Sequence, residues 1–197
     1  MQTFACRRSQ YILPATVPEL RSYLKLDVPR EIAIQIASYV RFQWPAFIGR
    51  NKPLWEGTPY PNYSRHFVLT DSDVLISHAI VSSRWLDHGG EQFNVYGLSS
   101  VFCYPTHRGS GFGEQIVAAA TDYIRQQKDA DLALLFCGER VQTLYQRQGW
   151  EHVAGMKIRF GDNKEFNDGL VMTLFISERA RAHDFSTEPF HVGPITW

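Results

Sequence analysis

Strand-like apolar runs fill the middle of this chain, and apolar positions at helical spacing flank them. Residues 66–70 and 74–86 are apolar-rich and β-branched, and Asp71-Ser72-Asp73 between them is a hairpin turn signal. Asp87-His88-Gly89-Gly90 is a second turn, followed by a third strand over 93–104. Three antiparallel strands joined by tight turns follow from this pattern. Residues 113–127, behind Phe112, carry Ile116, Val117, Ala120, Tyr123 and Ile124 at helical spacing. Residues 132–137 read as a buried strand, and 140–148 as a helix that Gly149 stops. Two further strands, 153–160 and 170–176, read as a closing pair joined by the polar stretch 161–169. Nearer the start, Thr16 as a cap and Pro18 in the first turn predict a short helix over 17–25. Ile32, Ile34, Ile36, Ala37 and Val40 predict a helix over 29–40.

Between these lies a segment, 43–64, where Pro45, Pro53, Pro59 and Pro61 alternate with Trp44, Trp55, Tyr60 and Tyr63. It reads equally as a rigid surface connector and as the wall of an acceptor pocket. Residues 177–197 carry no strong pattern, and no internal repeat is present.

Composition narrows the function classes. A chain of 197 residues, 44% hydrophobic and 20% charged, fits one compact globular domain over 1–197, with its core at about 65–176 and a tail over 177–197. Twenty basic and twenty acidic residues cancel, which argues against a nucleic-acid partner recruited by bulk charge. No apolar run is long enough to span a bilayer, so no membrane partner is expected. The opening Met1-Gln2-Thr3-Phe4-Ala5-Cys6-Arg7-Arg8 lacks the apolar region of a signal peptide, so a cytoplasmic location is the expectation. Cys6, Cys103 and Cys137 match no zinc spacing and read as reduced thiols packed like small hydrophobes.

The chemistry concentrates in Arg108-Gly109-Ser110-Gly111-Phe112-Gly113, between an apolar run and a helix start. Glycines let the backbone approach an anion, and successive amide N–H groups with a helix N-terminus attract a phosphate. Arg108 adds a planar fork of donors. The spacing fits neither the dinucleotide fingerprint nor a Walker loop. Written R-x-x-G-x-G, it resembles the acetyl-CoA pyrophosphate loop of the GNAT superfamily of N-acetyltransferases. Leu144-Tyr145…Gly149-Trp150 resembles that superfamily's L-Y-x-x-x-G-F helix end.

The resemblance implies an α/β (α+β) GNAT fold, with a central mixed, mostly antiparallel twisted sheet flanked by helices. It implies acetyl-CoA as co-substrate and a small-molecule primary amine as acceptor. Residues Arg108, Gly109, Ser110, Gly111, Phe112 and Gly113 would hold the pyrophosphate, and the backbone of Val101, Phe102 and Cys103 would pair with the pantetheine arm. Tyr145 would donate to the leaving sulfur. Where the superfamily often has a strand glutamate as base, this strand reads Tyr96-Gly97-Leu98-Ser99-Ser100-Val101. Glu91, Asp87, His88, His78 and Glu56 are nearby candidates, and the base stays unassigned. Dimers are common in the superfamily, so a homodimer is an expectation of the same kind.

A closer resemblance, over roughly 65–176, is to the aminoglycoside 2′-N-acetyltransferases. It rests on residues 76–81, the glycine turn, the Leu144 to Trp150 motif and residues 167–174. It implies that Asp168 and the terminal carboxylate of Trp197 bind the acceptor, and it puts Ser99 at the strand-glutamate position. Two alternatives stand beside this reading. One is an acyl-CoA-binding sensor without turnover. The other is a protein or peptide N-acetyltransferase, which calls for an open groove.

Overall fold

The computed structural model describes residues 17–45, 60–161, 165–166 and 169–193. Its strands are β1 (Glu19–Leu24), β2 (Arg65–Asp71), β3 (Val74–His88), β4 (Glu91–Cys103), β5 (Leu132–Cys137), β6 (Ile158–Phe160), β7 (Glu165–Phe166), β8 (Leu170–Phe175) and β9 (Phe190–His191). The helices are α1 (Arg30–Gln43), α2 (Phe112–Arg125), α3 (Gln142–Gln146) and α4 (Glu178–Ala182). Six strands form one sheet in the order β1-β2-β3-β4-β5-β8. Every neighbouring pair is antiparallel except β4 and β5. This is the mixed, mostly antiparallel sheet flanked by helices that the resemblance implies.

Alternation along the strands sorts the core into two faces. Phe67, Leu69, Val81, Leu98, Leu135 and Met172 pack under α2, whose Ile116, Val117, Ala120 and Ile124 share one stripe, and against Trp150. On the opposite face, Ile32, Ile36 and Val40 of α1 cover Val68, Leu75 and Phe102. Phe185, Phe190, Met156 and Ile158 cover Leu86, Phe93, Val95, Leu132 and Leu134. That second cover comes from a small sheet, β7-β6-β9, and the chain around α4. Asp131 ties it down: its carboxylate accepts from Asn94 N, Ser177 Oγ and Arg179, and its carbonyl from Ile176 N and Ser177 N.

Three expectations are corrected. Residues 19–24 form an edge strand, not a helix, because β2 has an otherwise unpaired edge and β1 fills it in register from Glu19↔Thr70 to Leu24↔Arg65. Arg21 bonds to Glu19, two residues away, as side chains on one face of a strand do. Residues 153–160 and 170–176 do not pair: β6 joins the small sheet, while β8 pairs with β5 from Leu132↔Phe175 to Cys137↔Leu170. The segment read as patternless supplies α4 and β9, with Ala180, Phe185 and Phe190 fully covered. The β3–β4 turn is tighter than the sequence suggests. Gly89 and Gly90, both at positive φ, make a two-residue hairpin loop.

Candidate active site

The site begins where two strands part. β4 and β5 pair only from Val95↔Leu132 to Gly97↔Leu134, although both strands run on, to Cys103 and Cys137. Among the described residues the β5-facing edge of β4 beyond Gly97 is therefore open, and a wedge separates the two strands there. A bulge sits at this point. Ile80 faces Ser99 and His78 faces Phe102, so Ser100 and Val101 together oppose Ala79. Ser100 has φ +46°, a left-handed conformation that costs a non-glycine residue free energy unless its surroundings enforce it. Its hydroxyl bonds to Tyr60 Oη, and its carbonyl faces His78 Nδ1 at 3.0 Å. The Ser99 hydroxyl is buried near the Tyr60 oxygen but outside hydrogen-bond geometry.

The glycine turn stands at the end of β4. A short 3-10 turn, Pro105–His107, leads into it, and Gly109 and Gly111 have φ of +84° and +81°. A Cβ at Gly109, Gly111 or Gly113 would meet nothing within 4 Å, so φ and not crowding calls for glycine at 109 and 111. No side chain caps α2 at Gly111, and its first intrahelical bond is Gln115 N to Gly111 O at 3.0 Å. The amides ahead of Gln115 thus face outward with the helix dipole behind them. Arg108 is already anchored: Nε donates to the Cys103 carbonyl (3.1 Å) and Nη2 to Tyr39 Oη (3.0 Å).

Tyr145 approaches from α3. This short helix ends in a Schellman arrangement, with Gly149 N bonding Gln146 O at 2.9 Å and Trp150 N bonding Tyr145 O at 3.2 Å. Gly149 has φ +83° there, and Trp150 plugs the core, donating Nε1–H to Thr121 Oγ1 at 3.0 Å. The ring of Tyr145 is 6% exposed, and burial, with the nearby Cys137, pushes its phenol well above the ordinary tyrosine value. Among the described residues its hydroxyl has no hydrogen-bond partner. It is a protonated donor with a free hydroxyl facing a cleft.

That cleft has a volume of ≈850 Å³. Of the residues singled out in the sequence, Ser99, Val101, Phe102, Cys103, Arg108, Gly113 and Tyr145 line it. Gly109, Ser110 and Gly111 form the exposed rim of the turn, and Phe112 packs against the core below. Asp168, Trp197 and Glu56 lie outside the described residues. Asp87, His88 and Glu91 belong to the far hairpin, about 25 Å along β4 at about 3.3 Å per residue. His78 is fully buried and both its ring nitrogens face protein partners. Gln43 and Trp44, the start of the segment read as connector or pocket wall, reach the cleft from the end of α1, and residues 46–59 of that segment lie outside the described residues. Two contributions were not visible in the sequence: Tyr39 of α1, and Glu139, the carboxylate among the described lining residues. Glu139, Gly138 and Cys137 also border an adjoining groove of ≈420 Å³ beside His152 and Met156.

A family model described as an acetyltransferase (GNAT) domain matches residues 21–153, more than half of the chain. The chain belongs to that family. Solved structures agree on the fold of this GNAT domain. YhbS, a GNAT family N-acetyltransferase from Escherichia coli in complex with CoA, is 17% identical, with 92% of each chain covered and a TM-score of 0.56. Arabidopsis thaliana NAA60, in complex with a bisubstrate analogue, is 12% identical over 81% of this chain and 100% of that one, at 0.58. Escherichia coli ElaA is 14% identical over 80% and 99%, at 0.55. A comparison with curated proteins finds no match. No helix among the described residues of this GNAT domain is long and apolar enough to cross a membrane.

Proposed function

We propose that this GNAT domain transfers the acetyl group of acetyl-CoA to a primary amine of a small molecule by direct attack, with residues 1–197 acting as one unit. The observation that carries the reading is the unpartnered, protonated Tyr145 hydroxyl, which faces the open edge of β4 beside an uncapped helix start. In this reading the amides ahead of Gln115 and Arg108 hold the pyrophosphate. The open edge of β4 at Val101–Cys103 pairs with the pantetheine amides. The neutral amine attacks the thioester carbonyl carbon. The C–N bond forms, the C–S bond breaks, and the electron pair leaves on sulfur, where Tyr145 donates its hydrogen. Glu139 attracts the acceptor as an ammonium ion and takes up the proton it must lose, directly or through water.

An aminoglycoside-like acceptor is the finer form of the proposal, with Asp168, Trp197 and Ser99 as its binding residues. A second reading has one observation in its favour: β4 presents serines, and no carboxylate, to the cleft. That suits a module that binds acyl-CoA without turnover. The test is incubation with acetyl-CoA and a panel of primary amines, including aminoglycosides and peptides with free N-termini, followed by identification of the acetylated product. A modified small amine supports the proposal. Modification of peptides alone moves the reading to a peptide acetyltransferase, and acetyl-CoA binding with no product moves it to the sensor.

A further inference from the structure

The face of the sheet between α1 and the C-terminal segments carries a histidine pair where an apolar core is the norm. His66 on β2 and His78 on β3 are 3% and 0% exposed. His66 Nδ1 and His78 Nε2 are 3.1 Å apart, and His78 Nδ1 lies 3.0 Å from the Ser100 carbonyl. Burial holds His78 well below the ordinary histidine value, and burial with the nearby Lys25 brings His66 down to about 4, so both rings are neutral at physiological pH.

Neutrality fixes the protons. A carbonyl oxygen only accepts, so the hydrogen-bond network assigns the His78 proton to Nδ1. Its Nε2 is then a bare acceptor, and His66 must donate from its own Nδ1. His66 Nε2 is left as a buried lone pair with no partner among the described residues. The pair is therefore a one-way chain of two imidazoles whose output is a single backbone carbonyl, that of the bulged residue Ser100. Its φ of +46° needs such support, and Tyr60 supplies a second hold at the hydroxyl.

The consequence reaches the cleft through one peptide unit. In a trans peptide the C=O and the following N–H point in opposite directions. With the Ser100 carbonyl turned to His78, the Val101 N–H is aimed away from the buried histidines, on the open edge of the wedge. We propose that His78, oriented by His66, is a positioning residue for acetyl transfer: by holding the Ser100 carbonyl it fixes the bulge and the direction of the Val101 N–H. This rests on the acetyltransferase reading above. The role differs from that of a base, because the lone pair of His78, on Nε2, already accepts the His66 N–H.

Two measurements test it. Imidazole ¹⁵N shifts of the wild-type protein are expected to show both histidines protonated at Nδ1, bare at Nε2, and unchanged from about pH 8 to about pH 5. A proton on His78 Nε2, or titration in that range, overturns the proposal. The second measurement compares His78→Asn, whose amide can reach the Ser100 carbonyl, with His78→Gln, whose amide reaches toward His66. Expected is a kcat/KM for acetyl-CoA within about threefold of wild type for His78→Asn and a loss of about tenfold or more for His78→Gln, with little change in the KM for the amine in either. Equal losses, or no loss in either, contradict it. If the wild-type protein acetylates no amine, the acetyltransferase reading fails on its own. The imidazole shifts, with amide exchange at Val101 faster in His78→Gln than in His78→Asn, then decide the brace separately.

Discussion

At the scale of single residues, the chemistry of the cleft is set by which polar groups are already hydrogen-bonded within the protein and which are not. Arg108 is partly spent on Cys103 and Tyr39, and His78 on Ser100, whereas the Tyr145 hydroxyl has no partner among the described residues. Tyr145→Phe keeps the ring that fills the cleft wall and removes only the donor. Turnover is expected to fall about tenfold to a hundredfold with acetyl-CoA affinity unchanged, as steady-state kinetics beside a binding titration will show. Glu139→Gln is expected to raise the KM for the amine about tenfold and to lower kcat about tenfold or more while leaving acetyl-CoA binding alone, because it removes a charge-assisted contact and the proton acceptor but no cofactor contact. Tyr145 was legible in the sequence because the Leu144 to Trp150 motif is local: glycine, tryptophan and tyrosine lie within one helix end. Glu139 and Tyr39 were not, since each reaches the cleft only after α1, β4 and β5 have packed. His78 was visible as a candidate base. Its burial and its partners, which remove that role, are properties of the sheet register.

At the scale of elements, two turns do most of the positioning. Gly149 ends α3 at φ +83°, and a Cβ there would stand 2.8 Å from Arg125 Nη2, the far end of a flexible side chain. Gly149→Ala is therefore expected to cost about 1–2 kcal/mol through the left-handed backbone, measurable by denaturant unfolding. Gly111→Ala carries a similar penalty of about 1–2 kcal/mol with open space around it. It is expected to weaken acetyl-CoA binding too, because the φ change turns the amides at the start of α2. The central hairpins, α1, α2 and β5 were legible because period and turn chemistry agree there. The strand β1 was not: Thr16 and Pro18 are sound local helix signals, but the open edge of β2 outweighs them. The partners of β6 and β8 were misassigned because short apolar runs do not say which sheet they join.

At the scale of the whole molecule, the sheet is closed on one face by α2 and on the other by two separate covers, with the wedge opening between β4 and β5. Asp131 links β4, β5 and the chain around α4. Burial alone would raise its pKa, but Arg179, Asn94 N–H and Ser177 outweigh it and hold the carboxyl below its ordinary value. Asp131→Asn is expected to lower the thermal midpoint by loosening that cover. Acid acts on the same face of the sheet, beside the α1 cover. Between about pH 6.5 and about pH 4 the unfolded chain binds a proton at His66 that the folded chain refuses. Stability is therefore full above about pH 6.5 and falls as pH drops through that window, by up to about 3 kcal/mol. Denaturant titrations at several pH values will show this, and the decline should be smaller, though still present, in a folded His66→Asn variant, because burial also holds His78 below its ordinary value. The turn at Arg108–Gly113 and the wedge are expected together to hold acetyl-CoA. The decisive measurement is calorimetric titration of acetyl-CoA into the wild-type protein and into Gly111→Ala. Saturable one-site binding to the wild type and weaker binding to the folded variant are expected from this assignment. No binding to the wild type, or equal binding to both, would contradict it.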